Sequence, residues 1–148
     1  MGKRHKAREL VLQGLYSWEM NKDHFDSILE TFSKEIGDDP ETVEFASDLL
    51  RKAVRHQETI DLDIQTAAKN WDLGRMALLD RLILRLALTE LLHFSEIPPK
   101  VTINEAIDLA KNFSTEQSGQ FVNGILDALY KKYRQENRIV KSGRGLVG

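Results

Sequence analysis

Two clusters in this chain have residue types and spacing that could do chemistry. Lys3, Arg4, Lys6 and Arg8 stand together at the N-terminus, with no acid among residues 1–8. Apolar periodicity places them at the start of a helix, where the macrodipole prefers negative charge. A capping residue such as Ser or Asp is also missing there. A bound anion would answer both faults, because it would meet the cations and the free helix N–H groups together. Tyr16 lies off the main apolar stripe of the same helix, about two turns beyond Arg8. Cations beside a non-core aromatic are what single-stranded RNA needs, the first for phosphate and the second for stacking. The second cluster is centred on Phe121, which heads an apolar run interrupted by Asn123-Gly124. A glycine in mid-helix costs about 1 kcal/mol relative to alanine, so close approach of another backbone or of a ligand is expected to offset it. On this reading Gly124→Leu harms folding or binding far more than Lys111→Leu.

Other chemistries find no support. The four histidines, His5, His24, His56 and His93, are far apart and none has a partner at metal-ligand spacing. There is no cysteine, which removes disulfides, thiol catalysis and thiolate-bound zinc together. Asn104-Glu105 could be a base with an orienting amide, but Thr102 three residues before Glu105 makes a capping box the simpler reading. No catalytic residue, metal site or cofactor is expected.

The elements that must position these residues are helical. The chain has 148 residues, of which 41% are hydrophobic and 30% charged, which suits one soluble domain with a substantial core. No signal peptide is visible. The most apolar run, Met76 to Leu92, is broken by Asp80, Arg81, Arg85 and Glu90, which argues against a membrane span. A cytoplasmic protein is expected. The net charge of −2 conceals an asymmetry: residues 1–8 carry +4, residues 131–148 carry +5, and the body between them carries −11. An acidic body with basic ends points to a polyanion partner.

Ala7, Leu10, Val11, Gly14, Leu15 and Trp18 define a first helix from about Lys6 to Glu19. Asp23 is a plausible cap for a second helix, which ends at Gly37. Asp39-Pro40-Glu41 is a well-formed start for a third. Ile60, Ile64, Ala67, Ala68 and Trp71 give a fourth, closed by Asp72-Leu73-Gly74. A fifth, about Arg75 to Phe94, is apolar nearly all round and is therefore expected to be surrounded by others. Pro98-Pro99 separates it from a sixth, for which Thr102 and Glu105 supply a capping box. Ser114 and Gln117 repeat that signal for the seventh. No strand or repeat is visible. The expectation is an all-α protein of about seven helices, with a single domain over 1–134 and a flexible basic tail over 135–148.

At this point the residues carry a family likeness. KRHKARELVLQGLYSWEM, LLDRLILRLALTELL and IPPKVTINEAIDLAKNFSTEQSGQFVNGILDALY together resemble the NusB transcription antitermination factors over about residues 4–130. The resemblance implies two packed helical bundles and a non-enzymatic role. It implies binding of boxA-type RNA in ribosomal RNA transcripts, together with a small ribosomal protein of the NusE type, within an RNA polymerase antitermination complex. The RNA-binding residues it implies are Lys3, Arg4, Lys6, Arg8 and Tyr16 on the first helix, and Gln117, Ser118 and Phe121 at the start of the last. Family members often carry an acid at the position of Gln117. Asp80 and Arg81 are implied as contacts to the protein partner. If Lys3, Arg4, Lys6 and Arg8 neutralise about four phosphates, log K should fall with log salt at a slope near −3. Two alternatives stand beside this reading. The same helical module precedes RNA cytosine methyltransferase domains, and a helical adaptor or homodimer would also explain the discordant glycines.

Overall fold

Ten consecutive residues, Leu82 to Leu91, are buried, and they explain the architecture around them. They belong to α5 (Leu78–His93), the helix whose apolar residues leave no solvent face. The computed structural model describes residues 2–22, 24–68 and 76–146. Asp23 as a cap, Trp71, the closing turn 72–74 and Arg75 lie outside the described residues. Seven α-helices occur among the described residues, with no strand. They fall into two compact units, residues 1–54 and 55–148.

The first unit contains α1 (Gly2–Asn21), α2 (Phe25–Ile36) and α3 (Pro40–Arg55). Ala7, Leu10, Val11 and Leu15 of α1 are buried, as are Ile28 and Phe32 of α2 and Phe45, Ala46, Leu49, Leu50 and Ala53 of α3. Gly14 lets α1 and α2 approach: a Cβ there would stand 2.7 Å from Cγ2 of Ile28. Gly37 ends α2 at φ 83°, a conformation that glycine adopts without steric penalty. Asp39 caps α3 as its sequence indicates, accepting from the Thr42 N–H at 3.3 Å.

The second unit is built on α5, against which α4 (Gln57–Ala67), α6 (Pro99–Phe113) and α7 (Glu116–Gln135) pack. Several of its buried polar groups are answered from neighbouring helices. The Arg85 guanidinium donates twice to Asp61 of α4, both bonds at 2.8 Å, a bidentate geometry that fixes orientation as well as charge. The Thr102 hydroxyl donates to Glu90 at 2.9 Å. Thr102 is therefore not a cap. Helix α6 begins three residues earlier, at Pro99, because proline suits a first helical position. The cap of α7 is Thr115 rather than Ser114, with the same three-residue reach to the Ser118 N–H.

Beyond α7 the chain turns back on itself. Asn137 adopts φ 57°, and the Asn137 and Arg138 N–H groups donate back to Arg134 and Tyr133 at 3.1 and 2.8 Å. This is a Schellman closure, with asparagine in the left-handed position. It reverses the chain, which then lies against the end of α5. Lys141 Nζ donates to the carbonyls of Glu90 and Phe94 at 3.2 and 2.8 Å, and the Ser142 N–H donates to Ser95 at 3.0 Å. Helix-end carbonyls have no partner within their own helix, so a lysine from elsewhere is a favourable answer. Fading apolar periodicity hid this contact, which is made by backbone and by one ammonium group.

Candidate nucleic-acid interface

The basic start of α1 lies in the first unit, and the four cations there differ in circumstance. Lys3 pairs with Asp39 at 3.0 Å. The ammonium of Lys3 and the Thr42 donors hold the Asp39 carboxyl below its ordinary range. The anion that the uncapped basic helix start requires is thus partly supplied by the chain itself. Arg4 lies over the Phe45 ring at 4.5 Å and Arg8 at 5.3 Å. Arg4 and Lys6 are exposed, whereas Arg8 is buried at 3% exposure. Arg8 therefore cannot meet a phosphate as it stands. No residue near Arg8 in sequence reveals the Phe45 ring that α3 brings to it. Tyr16 is 41% exposed, in keeping with its place off the stripe. Two exposed cations and an exposed aromatic on one rigid helix can take phosphates and stack a base.

The start of α7 lies in the second unit. Gln117 is exposed and Phe121 half-buried. Ser118 is buried, and its hydroxyl donates to Asp80 Oδ2 at 3.1 Å while sharing a 2.8 Å contact with the Ser114 hydroxyl. Its hydroxyl is thereby engaged in holding α7 to α5, so of the three α7 residues implied as RNA-binding, those facing solvent are Gln117 and part of Phe121. Asp80, implied as a partner contact, is also buried, at 7% exposure, and desolvation pushes its carboxyl above the ordinary range. Oδ1 of Asp80 has no hydrogen-bond partner among the described residues. Arg81 beside it is exposed. The structure thus joins Asp80 and Ser118, which the sequence reading assigned to different partners.

The glycines of α7 differ in what surrounds them. A Cβ on Gly119 would meet Lys111 Cγ at 3.0 Å, whereas one on Gly124 would meet nothing within 4 Å. Close packing of α7 on α6 occurs at Gly119. Gly124 lies on the exposed face with Asn123 and Gln120. Among the described residues no group of three His, Cys, Asp or Glu side chains is placed to hold a metal ion, and no helix is long and apolar enough to cross a membrane.

Comparison with known proteins agrees with the helical architecture. Residues 5–131 match the NusB family. The transcription antitermination protein NusB of Salinibacter ruber is 42% identical over 149 residues, covering 100% of this chain and 93% of that protein. That of Chloroherpeton thalassium is 39% identical, over 97% of this chain and 69% of the relative. Among solved structures, T. maritima NusB superposes with a TM-score of 0.78 at 37% identity, over 91% of this chain and 95% of that one. A chain from the crystal structure of antitermination factors NusB and NusE in complex with dsRNA superposes at 0.79 with 30% identity, over 90% and 99%.

Proposed function

The chain belongs to the NusB family, and on that premise we propose that it is a transcription antitermination factor binding boxA-type RNA of ribosomal RNA transcripts. Its role is non-enzymatic, as befits a family of transcription factors. The related chain solved with NusE and dsRNA supports a small ribosomal protein of the NusE type as co-ligand and read-through by RNA polymerase as the outcome. The site of action is the cytoplasm, where transcript and ribosomal protein meet.

One observation carries the residue-level reading: Arg4, Lys6 and Tyr16 are exposed on α1. The cations attract the phosphate backbone, and the tyrosine face gives a base something to stack on. Lys3 contributes at the edge, since its 80% exposed ammonium can exchange Asp39 for phosphate. Arg8 acts indirectly, through Phe45 and the α1–α3 packing. In the second unit Gln117 offers an amide to a base edge and Phe121 part of a ring. Ser118 and Asp80 hold the start of α7 in place, and Arg81 is the contact left for the protein partner.

Reconstituted transcription tests this function. On a template with a boxA-type leader and a downstream terminator, adding the chain with its NusE-type partner should raise read-through. Deleting the leader element, or using Tyr16→Ala with Lys6→Ala, should remove the gain. Equal read-through on templates with and without the element would refute the proposal.

A further inference from the structure

The basic C-terminal segment, which the family match to residues 5–131 does not cover, builds a second cationic surface. Closure of α7 by Asn137 and anchoring of Lys141 and Ser142 on the end of α5 bring residues 139–146 beside the last turns of α7. Between them is a hollow of about 550 Å³, lined by Tyr130, Arg134, Val140, Lys141 and Leu146 among others. A second hollow of about 350 Å³ adjoins it at Lys131, Arg134 and Gln135. Arg134 lines both, lying over the Tyr130 ring at 5.5 Å.

The cations here divide by what already holds them. Lys141 is committed to the carbonyls of Glu90 and Phe94 at the end of α5, and burial pulls its ammonium below the ordinary range. Arg138 is held by Asp63 and Glu136. Arg134 and Arg144 are exposed. Lys131 is 70% exposed, and its pair with Asp127 at 3.1 Å is the kind of surface contact that contributes little and exchanges readily. Arg134 lines both hollows, Lys131 lines the second, and exposed Arg144 is the chain neighbour of Gly145 in the wall of the first, which also has an aromatic face and the exposed apolar residues Val140 and Leu146. Phosphates suit the cations, while sugars and bases suit the tyrosine and the apolar rim. An acidic peptide would use the charges and leave Tyr130 unused. The groove is also on the same helix as Gln117 and Phe121, and the thirteen residues from Phe121 to Arg134 span about 20 Å.

We propose that the Tyr130–Arg134 groove, with Lys131 and Arg144, holds single-stranded RNA flanking the recognised element, without regard to its sequence. The inference rests on the RNA-binding reading above. It is tested by fluorescence anisotropy on the full chain with three RNAs: a bare boxA-type element, the element with oligouridine flanks, and oligouridine alone. The wild type should bind the flanked RNA more tightly than the bare element. Lys131→Ala/Arg134→Ala/Arg144→Ala should bind the bare element as the wild type does and gain nothing from the flanks. Three phosphates at about 0.7 each make the wild-type salt slope on flanked RNA steeper by about 2, so a fourfold rise in salt costs it about sixteenfold more than the variant. Equal behaviour of the two proteins on flanked RNA would overturn the proposal. So would equal loss of the bare element, or tighter binding of polyglutamate than of oligouridine by the wild type. If the bare element is not bound at all, the function proposed above fails, and oligouridine alone still decides the groove. Should the triple variant lose helix content by circular dichroism, Arg144→Glu on its exposed turn gives the same comparison.

Discussion

Replacing Tyr133 by Phe removes one oxygen from a fully buried side chain and leaves its packing intact. The hydroxyl donates to Asp63 Oδ2 at 2.7 Å, from the last turns of α7 to α4. Among the described residues the carboxylate, with 14% of its side chain exposed, would keep Arg138, 3.5 Å away and itself one-third exposed. A hydrogen bond to a charged acceptor contributes about 1.5–3 kcal/mol, with most of that loss falling on the part-buried acceptor left short of a partner. At a typical slope of about 2 kcal/mol per molar urea, the midpoint should fall by about 1 M. Circular dichroism through a urea titration measures it. The pH dependence adds a second check. Burial, then the hydrogen bond to Asp63, push the phenol well above its ordinary 10.0. An acid whose folded pKa is raised contributes stability that is present below the unfolded value and lost as pH rises past it. The deficit of Tyr133→Phe should therefore be constant near neutrality and shrink above about pH 10. A midpoint within error of the wild type, or a deficit that grows with alkali, would refute the assignment of this bond as a tie between α7 and α4.

Other perturbations have equally definite signs. Gly14→Ala should destabilise by about 1–3 kcal/mol in urea titration, because its Cβ would meet Ile28 at 2.7 Å across the α1–α2 contact. Gly124→Ala should instead stabilise α7 by about 1 kcal/mol, since its Cβ meets nothing, while weakening RNA affinity if the exposed glycine admits the ligand backbone. The Asp80 carboxyl is raised by desolvation, so its favourable contribution is complete below the ordinary 3.8 and lost as pH rises through the raised value. The stability of Asp80→Asn relative to the wild type should accordingly improve as pH rises from about 3 to 7.

Helix α3 was legible in sequence down to its first residue, because Asp39-Pro40-Glu41 carries the cap, the fixed φ and the early acid within three positions. The central place of α5 was equally legible, since leucines on every side of a helix require neighbours on every side. The start of α6 was misread because Thr102 and Glu105 have capping-box spacing, while Pro98-Pro99 outranks it and Thr102 instead serves Glu90 from the adjacent helix. The same limit applies to the candidate interface. The cations of α1 could be found by spacing, but which of them reach solvent and which are already paired depends on Phe45 and Asp39 from elsewhere in the first unit. The Ser118–Asp80 bond joins residues 38 positions apart, and no local pattern announces it. The docked C-terminal segment escaped notice because it is held by carbonyl groups, which every sequence has everywhere.

The central claim is that α1 meets RNA through the cations left exposed by the fold. The direct measurement is the affinity of a boxA-type RNA against salt, for the wild type and for Arg4→Ala/Lys6→Ala. Two phosphate contacts at about 0.7 each predict that the double variant flattens the slope by about 1.4. Lys3, already paired with Asp39, should contribute less than either when replaced alone. A double variant with the wild-type slope, or a wild type that binds a scrambled RNA as tightly as the boxA-type sequence, would contradict the account.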